Sequence, residues 1–87
     1  MGERLYLSKI IISLKKSILD PQGKAVHHAL QSFNLVEVEQ VRIGKIIEMK
    51  LNCSTQKEAE RITEEACKKL LANPVMENYS FTIEETE

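Results

Sequence analysis

The sequence predicts an α+β domain of two layers, three strands backed by two helices in the order β-α-β-α-β. Three observations carry that expectation. Val41, Ile43, Ile47, Met49 and Leu51 recur at every second position, with Lys45 the one charged member of the register, which is the period of a strand with one buried face. Val26, Ala29, Leu30 and Phe33, and again Ala59, Ile62, Ala66 and Leu70, recur at three- and four-residue spacings, the period of a helix with one apolar face. Each helical pattern also has its own start and stop signals: Asp20-Pro21 and Asn34 for the first, Thr55 with Glu58 and Asn73-Pro74 for the second.

The first strand runs from about Leu5 to Leu14. Tyr6, Ile10, Ile12 and Leu14 share one face with Ser8, while Leu5, Leu7 and Ile11 share the other with Lys9 and Ser13. Both faces are substantially apolar, the pattern of a central strand. A chain this short can lay helices over only one side of its sheet, so the second face is a candidate for self-association. The first helix spans Pro21 to Phe33. Asp20 is a good N-cap, Pro21 occupies the first helical position where its missing N–H costs nothing, and Asn34 tolerates the left-handed conformation that ends a helix. Gly23 is a poor helix former in the first turn, which points to a close backbone approach or a binding surface there.

The stretch Val38 to Asn52 is the longest regular pattern in the chain. A Gly44-Lys45 hairpin would suit type II′ turn chemistry, but it pairs Val41 with Glu48 and splits the apolar set between faces. One strand, bent at Gly44, keeps the set together. At roughly 15 residues, against a usual ~5–6, it overhangs the body of so small a domain, and a second copy of the chain is the expected cover. The second helix starts at Thr55 and stops near Ala72, with Ala59, Ile62, Ala66 and Leu70 buried and the stripe widened by Thr63 and Leu71. The third strand alternates Tyr79, Phe81 and Ile83 with Ser80, Thr82 and Glu84, and the acidic end Glu84 to Glu87 should fray, as should residues 1–4. The order is that of a two-layer ferredoxin-like sandwich with one long bent central strand of about 38–52, expected to be completed by segment exchange in a homodimer.

Composition excludes several functions. The 87 residues suffice for one domain, residues 1–87. A net charge of −1 leaves no basic excess to neutralise phosphates, so nucleic acid is not expected as a partner. No apolar run approaches ~18 residues, so no membrane span is expected. The N-terminal stretch has the alternation of a strand and lacks a signal-peptide cleavage site. Cys53 and Cys67 do not have C-x-x-C spacing and read as buried reduced thiols of a cytoplasmic protein.

Catalytic chemistry is not visible. His27 and His28 are adjacent, so on a helix they diverge by about 100° and chelate poorly; they read as solvent-side residues flanking the apolar stripe. The carboxylates are scattered over solvated faces. Gly23 and Gly44 stand far from any phosphate-loop spacing, and Tyr6 alone does not make an RNA-stacking sheet. No catalytic residue, metal site or bound cofactor is predicted. Seven residues are candidate partner contacts: Asp20, Pro21, Gln22, Gly23, Arg42, Gly44 and Lys45. Beside that reading stand plain helix capping for Asp20 and Pro21, and solvated strand charge for Arg42 and Lys45. Three classes remain open on these grounds: an interaction subunit, a homodimeric domain sensing a small molecule, and a small acylphosphatase-like hydrolase.

LDPQGKAVHHAL at Leu19 to Leu30, VEQVRIGKIIEMKL at Val38 to Leu51 and KLLANPVMENYSF at Lys69 to Phe81 resemble the PurS family, the small subunit of phosphoribosylformylglycinamidine synthase. DPQG at Asp20 to Gly23, VRIGK at Val41 to Lys45 and ANPV at Ala72 to Val75 are the specific parts, and the likeness runs from about Leu5 to Glu85. The departures are a few residues before the first strand and Asn34 where the family commonly has glycine. The resemblance implies a non-catalytic subunit of a three-component ligase of de novo purine synthesis (EC 6.3.5.3). A glutaminase subunit, PurQ, releases ammonia from glutamine, and a large synthetase subunit, PurL, uses ATP and Mg to place that nitrogen on formylglycinamide ribonucleotide. This chain would join the two as a homodimer, or a dimer of dimers, with ferredoxin-like halves completed by exchange between protomers. The small-molecule sensor is the alternative.

Overall fold

The computed structural model describes residues 4–86. The elements are β1 (Arg4–Leu14), α1 (Pro21–Ser32), β2 (Lys45–Cys53), α2 (Gln56–Ala66) and β3 (Glu77–Thr86). A π-helical turn, Cys67–Leu71, extends α2. The sheet is antiparallel throughout with order β2-β1-β3, so β1 is central as its two apolar faces require.

The register places the core. Ile10 lies opposite Ile47 and Phe81, and Tyr6 opposite Leu51 on the β2 side. The Tyr6, Ser8, Ile10, Ile12 face is buried. Ile10 and Ile12 pack with Cys67 and Ala72, while Tyr6 packs with Cys53 and Ala59. Full burial of each large aliphatic contributes roughly 1.5–3 kcal/mol. Between the two clusters the Thr63 hydroxyl donates to Ser8 Oγ at 3.0 Å, so neither buried hydroxyl is left unpaired.

The capping signals act as expected. The Asp20 carboxylate accepts from the Gly23 N–H, Asn34 takes φ 69°, and Thr55 Oγ1 accepts from the Glu58 N–H. Helix α1 ends one residue early, at Ser32.

Four expectations are corrected. The strand expected over Val38 to Asn52 begins only at Lys45, so Gly44 precedes it and does not bend it. Pairing with β1 ends at Ile12 opposite Lys45. Beyond that point residues 41–43 are drawn off the sheet by polar contacts to the turn before α1. There is no hairpin at Gly44-Lys45.

The stripe expected to bury α1 is open: Val26, Ala29 and Phe33 are exposed and Leu30 is half-buried. Among the described residues, α1 packs to no substantial extent against any strand or against α2. The amphipathic pattern is real, but its complement is not in the same chain, so one helix covers the sheet where two were expected.

On the turn that extends α2, Leu70 is 82% exposed while Cys67 is fully buried. The π-helical turn holds about one more residue per turn and advances the inward face to Thr63, Cys67 and Leu71, four apart, so Leu70 rotates outward. Finally, the acidic end does not fray through Thr86. Glu84, Glu85 and Thr86 pair with Leu7, Tyr6 and Leu5, and Arg4 closes a 3.2 Å ion pair on Glu85. The expected fraying of residues 1–3 and 87 lies outside the described residues.

The candidate partner-contact site

The two sequence motifs meet. The turn that leaves β1 and starts α1 carries DPQG, and the extended segment before β2 carries VRIGK. Asp20 joins them. It is 5% exposed, and its two carboxylate oxygens have different tasks: Oδ1 accepts from the Gly23 N–H at 2.9 Å and Oδ2 from the Ile43 N–H at 2.8 Å. The Ile43 and Gly23 amides hold its pKa below the ordinary 3.8 against the opposing effect of burial, with the charge of Arg42 adding to them.

Arg42 spans the same junction. Its guanidinium donates to Lys15 O at 2.9 Å and Ile18 O at 3.1 Å, the forked geometry a planar guanidinium supplies. Gly23 is buried, and a Cβ there would collide with the Val41 carbonyl and lie 2.7 Å from Asp20 Oδ2. Gly44 sits against β1, where a Cβ would lie 2.6 Å from Ile12 O. Both glycines are therefore required by close approach within the chain.

Pro21, Gln22 and Lys45 are exposed. Gln22, Lys45 and Glu77 line an open cleft together with Asp20. The structure thus brings all seven candidates into one region but divides them. Asp20, Gly23, Arg42 and Gly44 are engaged inside the chain, while Pro21, Gln22 and Lys45 face outward.

Sequence reading missed two features nearby. His27, taken as solvent-side, is half-buried, and its Nε2 lies 2.7 Å from Val38 O, with Gln31 Nε2 donating to the same carbonyl at 3.2 Å. His28 is exposed as expected. Phe33, Leu35 and Val36 form an exposed apolar run at the end of α1; the unbroken apolar stripe of the helix was the signal, read as core.

The remaining titratable groups inside the fold are structural. Cys53 and Cys67 are free and buried. Burial, and then the charge of Glu64, push the Cys67 thiol above its ordinary pKa, the opposite of what a reactive thiolate needs. Tyr79 donates a short hydrogen bond to Glu64. Among the described residues no three His, Cys, Asp or Glu side chains gather as a metal site, and no helix is long and apolar enough to cross a membrane.

This architecture, three antiparallel strands with one docked helix and one that stands off, is that of the small α+β subunits of phosphoribosylformylglycinamidine synthase. The structure of Thermus thermophilus PurS superposes with a TM-score of 0.85 at 40% identity, covering 95% of this chain and 99% of that one. The profile described as PurS, phosphoribosylformylglycinamidine (FGAM) synthase, matches residues 7–85. The chain belongs to the PurS family. It is 47% identical to the PurS subunit of Bacillus subtilis over 93% of this chain and 95% of the relative. It also superposes on a chain in the structure of PurLQS from Thermotoga maritima with a TM-score of 0.82 at 28% identity, covering 94% and 98% of the two chains.

Proposed function

We propose that this chain is the non-catalytic assembly subunit of a cytoplasmic phosphoribosylformylglycinamidine synthase complex, joining a PurQ glutaminase to a PurL synthetase for ammonia transfer. The observation that carries the reading is that the fold is incomplete in one chain. Its radius of gyration is 17.1 Å, against about 12 Å for a compact domain of this length, because α1 leaves the sheet with its apolar stripe uncovered. A chain built this way gains by association.

The first partner is a second copy. Ile47, Met49 and Leu51 stay half-buried on the face that α2 covers, and the exposed stripe of α1 has the matching chemistry. Exchange of α1 between two protomers would bring the two together in a homodimer. The opposite sheet face keeps Ile11 beside Ile46, both exposed, and offers a smaller contact for pairing two dimers. The further partners follow from the relative in PurLQS. In this reading the chain holds no cofactor, and ATP and Mg belong to the synthetase. It supplies geometry: ammonia released into water is protonated and no longer nucleophilic, so the two active sites must be held in one assembly.

The test is reconstitution. Glutaminase and synthetase are mixed with and without this chain, and product made from glutamine is followed. The expected result is glutamine-dependent product only with all three components. Equal rates in both mixtures overturn the proposal and favour the small-molecule sensor, which a melting shift with metabolites would then support.

A further inference from the structure

Because α1 has no substantial packing on any strand or other helix among the described residues, hydrogen bonds more than core packing set its direction. They come from one short segment ahead of β2. Ile43 donates its N–H to Asp20 at the helix N-terminus, Arg42 grips the carbonyls of Lys15 and Ile18 in the turn before it, and Val41 O rests on the bare backbone of Gly23. Further along the helix, His27 and Gln31 meet Val38 O. The segment therefore runs beside α1 and is fastened to it at both ends.

We propose that Asp20 and Arg42 are positioning residues that aim α1, and that they serve assembly without touching a partner. The chemistry suits the task. Asp20 is 5% exposed with each oxygen on a backbone amide, and the two terminal nitrogens of Arg42 each hold a carbonyl of the turn. The outward-facing neighbours, Gln22 and Lys45, are left to make contact. The consequence for assembly rests on the function proposed above; the aiming of α1 is a property of the chain itself.

Two variants separate aiming from capping. Asp20→Ser keeps a good N-cap for Gly23 but is too short to hold Ile43 as well. Arg42→Lys keeps the charge but presents one point donor where two carbonyls were held. Amide hydrogen exchange is read in the purified chain, in its native oligomeric state, for α1 and for β1. Both variants should speed exchange across α1 by about tenfold or more while leaving the central β1 amides unchanged, and both should weaken co-elution with synthetase and glutaminase. Gln22→Ala with Lys45→Ala should leave exchange untouched. Wild-type exchange in Asp20→Ser would make Asp20 a cap alone and overturn the proposal. So would weakened assembly in Arg42→Lys with α1 unchanged, which would make Arg42 a contact. An equal rise in α1 and β1 would show general destabilisation and also overturn it. If the wild-type chain joined neither partner, the assembly reading would fail while the exchange measurement still decided the aiming.

Discussion

At the scale of single residues, Gly23 shows how a local preference is overruled. Alanine is preferred to glycine in a helix interior by about 1 kcal/mol, so propensity alone favours Gly23→Ala. The added Cβ would meet the Val41 carbonyl, a backbone atom that is itself held in place because Arg42 and Ile43 directly after it are bonded. Gly23→Ala should therefore lower the urea midpoint; a higher midpoint would mean that residues 41–43 yield freely. The sequence flagged this glycine as a close approach, but the approaching atom lies 18 positions on in the chain and no local pattern names it. Tyr79 offers a second residue-scale test. Its hydrogen bond to Glu64, chiefly, pushes the phenol up to about 12 from an ordinary 10.0. A raised folded pKa contributes stability that is complete below the unfolded value and lost as pH rises through the folded one. The wild type should lose stability between about pH 10 and 12 more steeply than Tyr79→Phe, which lacks the titrating group; identical alkaline limbs in thermal melts would remove the Glu64 bond from the account.

At the scale of elements, what was legible in the sequence is what each element decides for itself. Caps, helix starts and the central place of β1 depend on neighbours in sequence, and Asp20, Asn34 and Thr55 behave as read. The errors fall where a tertiary contact intervenes. Residues 41–43 have strand periodicity, yet Asp20 and Arg42 take them off the sheet. Leu70 fits a regular 3.6-residue stripe, yet the wider turn at Cys67–Leu71 puts Cys67 and Leu71 inward in its place. The difference is measurable. Ile10→Ala, from a fully buried site, should cost about 2–5 kcal/mol in chemical denaturation. Leu70→Ala should stay within about 0.5 kcal/mol, as surface changes do. A large loss at Leu70 in the purified chain would show that its side chain is covered in the native oligomer.

At the scale of the whole molecule, the candidate site was half legible. The sequence singled out residues of DPQG and VRIGK as candidate contacts without bringing the two together; the fold does so, and which residues face outward depends on the path of the chain between them. The same path decides association. Phe33 is 71% exposed, and α1 carries it clear of its own sheet, so the free energy of covering it is available only to a second chain. If two protomers complete each other, folding and association are linked, and apparent stability must rise with protein concentration by mass action. Thermal melts across a hundredfold dilution should show the midpoint falling as the chain is diluted, with helical signal from α1 lost before the sheet. Phe33→Asp should abolish that dependence by placing a charge on the apolar stripe, and should sediment at the 9.9 kDa of one chain. The variant should keep the sheet, because Phe33 takes no part in either core cluster. A midpoint independent of concentration in the wild type, together with a monomer in sedimentation, would leave α1 to PurL or PurQ as its cover, and adding either subunit would then have to restore the protection of its amides.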